Sequence, residues 1–524
     1  MPRLFLVFIA LTGAWAQSRT AEGVVLSNDA WPRATRLAEW TADVMRISGV
    51  QGASESAQAK AFFEWLRLFS RMAVGGMIQS YEGPYGHENY VLDAHKQLFV
   101  YGWGYCDTTS RIAEAAWQEY KQDAGAATRV CVQHSDGGYH TMYRLRLNGR
   151  WAAFDPRYGY YLIERDDADA RILDWSELSG RFEANRGYQN RSQPFFEIAG
   201  IEWERALLLR PPYFPSQAAW EAAGAPKEHV FGDGAYRVGT PLHDMTFSLS
   251  PGMKVERFWD NDARKFYVPA GAHTKREYPF LPSGRFYRVT EASRQGNWPK
   301  YDPNYQRARP YLTMVPAGEG YPPDLVGGRT IGQAYGVIEY HPVVRMQHGE
   351  GIVDLRSPYV LVDGTVSAPP GAAIEIRTLE AKARNASEPD QWSAWQTLLA
   401  ASGARQAEMG RTRFGPSEVS IHGVYRFQLR VRAAERAKLS LKLYFENGIM
   451  SIPPLFAGRN TLRLRVASAS ALVAPVTVTY RYATASGDRT VSRALRPADF
   501  EGDEAVFEMN APGLTRCRSV SISY

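Results

Sequence analysis

Cysteine is scarce in this sequence. Only three occur in 524 residues, Cys106, Cys131 and Cys517. Small disulfide-stabilised secreted proteins carry many more, usually in an even number, so that class is excluded. An odd count leaves at least one free thiol. Cys131 lies in a β-prone stretch and is interpreted as a small apolar residue of a central strand, and no feature favours a bridge between Cys131 and Cys517.

Long apolar runs and blocks of like charge are also missing. Nothing approaches the roughly 20 consecutive apolar residues that span a bilayer, so no membrane span is predicted. The formal net charge of +6 is spread along the chain, which excludes a nucleic-acid-binding face built from clustered lysine and arginine. Hydrophobic residues make up 45% and aromatic residues 13% of the chain, enough for extensive cores.

Several catalytic motifs are absent as well. The sequence has no H-E-x-x-H and no paired C-x-x-C, so no metal ligands are predicted. It has no G-x-S-x-G and no phosphate-binding glycine loop, which argues against serine hydrolases and P-loop enzymes. No cofactor is expected.

The first 16 residues have the pattern of a secretory signal. Arg3 precedes an apolar core from Leu4 to Leu11, and Ala14-Trp15-Ala16 forms a small-x-small cleavage site. We predict cleavage after Ala16 and a secreted or periplasmic protein.

Two helices are predicted before residue 70. Leu37, Trp40, Val44 and Ile47 recur at helical spacing, as do Phe62, Trp65, Leu66 and Phe69. Ser54 or Ser56 is the expected N-cap of the second helix.

The stretch from Tyr101 to Arg157 predicts a hairpin. Tyr139–Leu147 alternates like a strand, and Asn148-Gly149 is a strong two-residue turn signal. The turn places Leu147 opposite Arg150, Met142 opposite Asp155 and His140 opposite Arg157. His140 and Asp155 are then diagonal neighbours on one face, within side-chain reach.

Cys106 precedes a third predicted helix. Ile112, Ala116, Trp117 and Tyr120 share its apolar face, and Thr108 or Asp107 is the expected cap. The positive end of a helix dipole favours a thiolate, and a thiolate with a histidine base and an orienting carboxylate is a nucleophilic system.

The spacing of these pieces resembles the catalytic core of the transglutaminase-like superfamily, over roughly residues 30–195. The matching segments are Gly104-Tyr105-Cys106, Tyr139-His140-Thr141, and Asn148-Gly149-Arg150-Trp151 leading into Phe154-Asp155-Pro156. The resemblance implies a papain-like domain in which Cys106 is the nucleophile, His140 the base and then the acid, and Asp155 the residue that orients His140. It implies a protein, peptide or cell-wall amide as substrate. Water would resolve the thioester in a protease or amidase, and a lysine amine in a transglutaminase; we favour hydrolysis.

Other residues near this stretch have competing interpretations. His134, in a turn-prone segment, is a rival base. His87 and His95 precede the cysteine and are candidates to line the cleft. The indole N–H of Trp103 is a candidate to hold an oxyanion, although packing beneath the helix is the commoner role.

Residues beyond about 198 are predicted to be β-rich. We expect an α+β protein in which a signal peptide (1–16) and a transglutaminase-like, papain-like domain (25–198) precede β-rich units at 199–349, 350–436 and 437–524, two or three of them sandwich-like. Turns are expected at Pro251-Gly252 and Asp363-Gly364, and Tyr425–Arg432 alternates cleanly.

Glycan contact through Trp259, Trp298, Trp392 and Trp395 is a minor hypothesis. The competing function is a non-catalytic secreted binding protein whose β modules recognise a glycan or a protein.

Overall fold

A computed structural model describes most of the chain. The described residues are 20–72, 93–104, 106–133, 139–156, 160–161, 171–174, 177, 196–198, 201–203, 228–230, 243–259, 265–269, 329–333, 336–380, 391–410 and 420–524. The predicted signal (1–16), His87, His134 and Trp298 lie outside them.

Three α-helices occur in the described residues, and they are the three predicted ones. Their bounds are α1 Leu37–Ile47, α2 Glu55–Phe69 and α3 Cys106–Lys121. The Ser54 hydroxyl accepts a hydrogen bond from the Ala57 amide at 3.3 Å and caps α2, as expected. A π-helical turn at Lys96–Tyr101 was not predicted, and 3₁₀ turns lie at Ile449–Ser451, Ala469–Ala471 and Pro497–Asp499.

Strands make up most of the described structure. They are β1 Ala21–Asn28, β2 Arg71–Met72, β3 Trp103–Gly104, β4 Ala127–Gln133, β5 Tyr139–Leu147, β6 Arg150–Asp155, β7 Tyr160–Tyr161, β8 Phe196–Ile198, β9 Ile201–Trp203, β10 Glu228–Val230, β11 Phe247–Leu249, β12 Met253–Phe258, β13 Lys265–Pro269, β14 Arg329–Gln333, β15 Gly336–Tyr340, β16 Val343–Arg345, β17 Glu350–Ser367, β18 Ala373–Glu380, β19 Gln391–Trp392, β20 Gln396–Leu399, β21 Gln406–Glu408, β22 Val424–Arg432, β23 Arg436–Lys438, β24 Ser440–Phe445, β25 Gly458–Arg465, β26 Val476–Thr484, β27 Gly487–Leu495, β28 Glu504–Ala511 and β29 Leu514–Ser523.

These strands form three main sheets. A twelve-stranded sheet has the order β19-β18-β22-β17-β24-β15-β12-β29-β26-β27, with β20 paired to β18 and β21 to β17. A five-stranded sheet has the order β10-β4-β5-β6-β7, and a four-stranded sheet the order β11-β1-β25-β28. β4 is a central strand of its sheet, as predicted for the segment around Cys131.

The predicted fold class is wrong. The protein is mostly β, and a separate N-terminal papain-like α+β domain followed by two or three β-sandwich domains is not what forms. Strands from residues 253 to 523 join in one twelve-stranded sheet. One hydrophobic cluster includes residues of all three helices and of the three main sheets, from Ala21 to Tyr524. Local alternation identifies a strand but says nothing about its distant partner, and this explains the error.

The strand nearest the N-terminus lies among C-terminal strands. β1 pairs antiparallel with β25, from Val25 opposite Arg465 to Asn28 opposite Leu462, and its other edge pairs with β11. The domain boundaries near residues 198, 349 and 436 stay predictions, but backbone hydrogen bonds join segments on both sides of them.

The expected turn at Asp363-Gly364 is also wrong, because β17 runs straight through it. The pairing of β17 with β24 shifts register between Leu361 and Asp363, as in a β-bulge. The Asp363 carboxylate accepts a hydrogen bond from the Gly364 amide at 2.8 Å. A Cβ on Gly364 would lie 2.9 Å from both Ile421 and Leu443, so glycine serves here for close packing rather than for chain reversal.

Two other backbone predictions are confirmed. Gly252 follows Pro251 in a turn with φ +82°. β22 alternates between buried and half-exposed residues from Tyr425 onward, with Phe427, Leu429 and Val431 in the core. Among the described residues, no helix combines the length and apolar character needed to cross a bilayer.

Candidate functional site

Cys106 is the first residue of α3 and is half-buried. The first turn of an α-helix has backbone N–H groups without intrahelical acceptors, and the positive end of the helix dipole lies there. Both favour negative charge on a nearby sulfur or on a substrate oxygen.

Gly102 sets the approach to this helix. It ends the π-helical turn in the left-handed region, with φ +66°. A Cβ there would lie 3.2 Å from the Phe69 carbonyl oxygen and 3.3 Å from the Gly448 Cα. The backbone just before the cysteine is therefore held against two other segments at a position that only glycine fits.

The predicted hairpin forms with the predicted register. β5 and β6 pair from Leu147 opposite Arg150 to Tyr143 opposite Phe154. Asn148 and Gly149 have φ values of +48° and +79°, both positive as a type I′ turn requires. The paired residues end there, so the placements of Met142 opposite Asp155 and of His140 opposite Arg157 stay predictions.

Helix α3 packs on this sheet through polar contacts. Ser110 donates to the carbonyl oxygen of Thr141 at 3.5 Å. One turn further, the Glu114 carboxylate accepts from Arg129 Nε at 2.8 Å, and both side chains are almost fully buried. Arg129 pairs with Tyr143 across β4 and β5. Burial raises the pKa of Glu114, and the guanidinium of Arg129 opposes that rise.

These contacts set the position of α3 along β4 and β5. From Ser110 to Glu114 the helix rises about 6 Å, and from Thr141 to Tyr143 the strand rises about 6.7 Å, so the two elements advance together. Cys106 lies one turn before Ser110 in α3, and His140 is next to Thr141 in β5. The approach of the Cys106 and His140 side chains stays a prediction.

Asp155 is fully buried at the end of β6 and pairs with Tyr160 of β7. The preceding residue, Phe154, stacks on Tyr143 at 5.2 Å and packs against Phe63 of α2 at 5.5 Å. Because strand residues alternate, Asp155 lies on the sheet face away from α2.

The backbones of His140 and Trp103 are described, in β5 and β3, but their side chains lie outside the described residues, as does all of His134. The choice between His134 and His140 as base and the role of Trp103 stay predictions.

His95 does not line a cleft, contrary to the expectation. It is buried, with Nδ1 hydrogen-bonded to the His243 carbonyl oxygen at 2.8 Å and Nε2 accepting from the Leu37 amide at 3.3 Å. Nε2 thus holds the start of α1, and Nδ1 joins the ring to the backbone at residue 243. The spacing of His95 from Cys106 in the sequence did not indicate that the imidazole would hydrogen-bond to main-chain groups.

Three of the four tryptophans named for glycan contact, Trp259, Trp392 and Trp395, lie in the described residues, and their rings contact other side chains. Trp259 is buried and stacks on Tyr480. The guanidinium of Arg377 lies 4.7 Å from the Trp392 ring and 4.6 Å from the Trp395 ring. Arg426 and Arg430 also lie over these rings, at 5.5 and 4.6 Å. Cation–π stacking therefore occupies ring surface that a sugar would need.

No metal ligands are assigned. Within the part of the chain that the structure describes, no group of three or more histidine, cysteine, aspartate or glutamate side chains is placed to hold an ion.

Comparison with known proteins adds no assignment. No family model matches the chain. No curated protein matches it either. Among solved structures, a similarity extends to a putative β-galactosidase from Bacteroides fragilis, with 9% identity and a TM-score of 0.08, over 35% of this chain and 28% of that one. A similarity this weak carries no argument about fold or activity.

Proposed function

We propose that the protein is an exported thiol enzyme that cleaves or transfers an amide through a thioester on Cys106. The observation that supports the proposal is the Ser110–Thr141 hydrogen bond, 3.5 Å long, which ties the cysteine helix α3 to the strand that contains His140. The sequence resemblance to the transglutaminase-like superfamily supplies the roles of the three residues.

The proposed chemistry begins with proton transfer from the Cys106 thiol to the His140 imidazole. The sulfur attacks the amide carbonyl carbon, and a C–S bond forms as the carbonyl π electrons move to oxygen. Backbone N–H groups at the start of α3 hold the resulting oxyanion. When the C–N bond breaks, the imidazolium of His140 gives its proton to the leaving amine and the thioester remains.

The second half-reaction regenerates the thiol. His140 takes a proton from a water molecule, whose oxygen attacks the thioester carbonyl. The C–S bond then breaks, a carboxylic acid is released, and the imidazolium of His140 returns its proton to the Cys106 sulfur. A lysine amine in place of water would give an isopeptide bond. We favour water, and a peptide or cell-wall amide as substrate. In this proposal Asp155 orients the His140 imidazole.

Native thiol labelling tests the proposal, because the chain contains its own control. Cys517 is a buried thiol that donates to the Leu455 carbonyl oxygen at 3.4 Å, and burial raises its pKa to about 12. Iodoacetamide at pH 6–7 should therefore modify Cys106 and leave Cys517 unmodified, as read by peptide mass spectrometry.

Variants then separate a catalytic from a merely accessible thiol. His140→Ala should slow alkylation of Cys106 at pH 6–7, whereas His341→Ala, at an exposed position, should not. Asp155→Asn should shift the pH profile of labelling. Equal rates in the wild-type protein and in His140→Ala would contradict the proposal. An acyl group trapped on Cys106 during a screen of peptide and cell-wall amides would identify the substrate.

A further inference from the structure

Arg257 is a charged residue inside the core, far from the cysteine helix in sequence. It lies on β12, on the same face as Val255, and is only 8% exposed. Its Nη2 donates to the Ser451 carbonyl oxygen at 2.8 Å, and its guanidinium lies 4.6 Å from the centre of the Tyr359 ring. The buried Nε has no hydrogen-bond partner among the described residues.

The positive charge of Arg257 also lacks a carboxylate neighbour in the described structure. The ionisable groups that act on its pKa are the phenols of Tyr359 and Tyr480, and burial lowers that pKa. Burial raises the pKa of both phenols, so both are neutral at neutral pH. A buried cation without a counter-charge is strongly unfavourable, and proteins avoid it by pairing the charge.

A cavity opens beside this guanidinium. It lies between the four-stranded sheet and the twelve-stranded sheet, and about 30 Å³ of it is accessible to water. A site needs roughly 10–15 Å³ for one water, so about two waters or one small ion fit. Apart from Arg257, Thr35 and Ser451, its walls are mainly apolar and include Val24, Phe247 and Ile522.

We propose that this cavity binds one small monovalent anion, a halide or formate, through the unpaired Nε of Arg257. The accessible volume of about 30 Å³ suits one small ion better than a larger carboxylate or phosphate. The anion neutralises the guanidinium and bridges the two sheets. This site is separate from the proposed thiol chemistry and does not depend on it.

Thermal unfolding of the full chain tests the proposal. The unfolding midpoint is followed against the concentration of sodium chloride, bromide or formate, with sodium gluconate at equal ionic strength as an anion too large for the cavity. A ligand of the folded state raises the midpoint with the logarithm of its concentration, so the small anions should give a slope that gluconate lacks. Equal slopes for chloride and gluconate would overturn the proposal.

Two variants connect the effect to the residue. Arg257→Gln should abolish the chloride-specific slope, whereas Arg459→Gln, which removes an arginine with a 76% exposed side chain, should keep it. Should Arg257→Gln not fold, crystals of the wild-type protein soaked in bromide give the answer. An anomalous peak at Nε of Arg257 that formate displaces supports the site, and its absence refutes it.

Discussion

The buried ion pair between Glu114 and Arg129 gives the sharpest stability prediction. It joins α3 to β4 at 2.8 Å, with side chains 4% and 1% exposed. Glu114→Gln leaves the guanidinium buried without its carboxylate. Breaking a buried pair in this way typically costs about 3–5 kcal/mol, a large part of the 5–15 kcal/mol that stabilises an ordinary domain.

A surface pair supplies the matched control. Arg459 and Glu508 lie 3.6 Å apart with side chains 76% and 58% exposed. Because water screens this pair, Glu508→Gln should change the free energy of unfolding by less than about 1 kcal/mol. The two variants remove the same chemical group, so the difference between them measures burial.

Urea-induced unfolding followed by tryptophan fluorescence measures both variants. The double variant Glu114→Gln/Arg129→Met should recover much of the loss, since it removes the stranded charge as well. The reasoning would be refuted if Glu114→Gln and Glu508→Gln had the same effect within about 0.5 kcal/mol, or if the double variant were less stable than Glu114→Gln alone.

Three further predictions concern the turn, a buried histidine and a close backbone contact. Gly149→Ala should lower the free energy of unfolding by about 1–2 kcal/mol, because φ is +79° while open space surrounds the new methyl group, and chemical denaturation should show it. Burial, with Lys96 nearby, lowers the pKa of His243 to about 4. In the unfolded chain the pKa of this histidine is higher, about 6.5, so the unfolded state takes up a proton first as the pH falls. The free energy of unfolding should therefore keep its full value above pH 6.5 and decrease by about 3 kcal/mol as the pH falls towards 4. His243→Gln should flatten the stability profile in that window, and an unchanged slope would contradict the assignment. Gly336→Ala would place a Cβ 2.0 Å from the Phe445 ring and should cost about 3 kcal/mol, partly restored by Phe445→Leu; an equally stable variant in thermal unfolding would rule out this contact.

Local structure around the candidate site was predictable because its signals are short-range. The 3-4-3 spacing of apolar residues located α1, a shared apolar helical face located α2, and Ser54 was one of two recognisable caps. Asn148-Gly149 determined both the turn and the hairpin register, since two consecutive positive φ values suit these residue types.

Long-range pairing was not predictable. Nothing in the alternation of β12 or β29 indicates that they are neighbours, although Val255 lies opposite Ile522. Asp363-Gly364 has the composition of a turn, and only the side chains that crowd Gly364 explain why the strand continues. The packing of α3 on β4 and β5 involves Glu114 and Ser110, polar helix residues that an argument from apolar periodicity does not consider.

The pairing of β1 with β25 has a consequence for biosynthesis. Residues 25–28, among the first of the described chain to leave the ribosome, form their backbone hydrogen bonds with residues 462–465. That early segment must wait for more than 400 further residues to be translated before its partner exists. During this interval the apolar residues of β1, Val24 and Val25 among them, are exposed to the chaperones that accompany the nascent chain. Truncation near the C-terminus should therefore disturb β1, at the opposite end of the polypeptide, first.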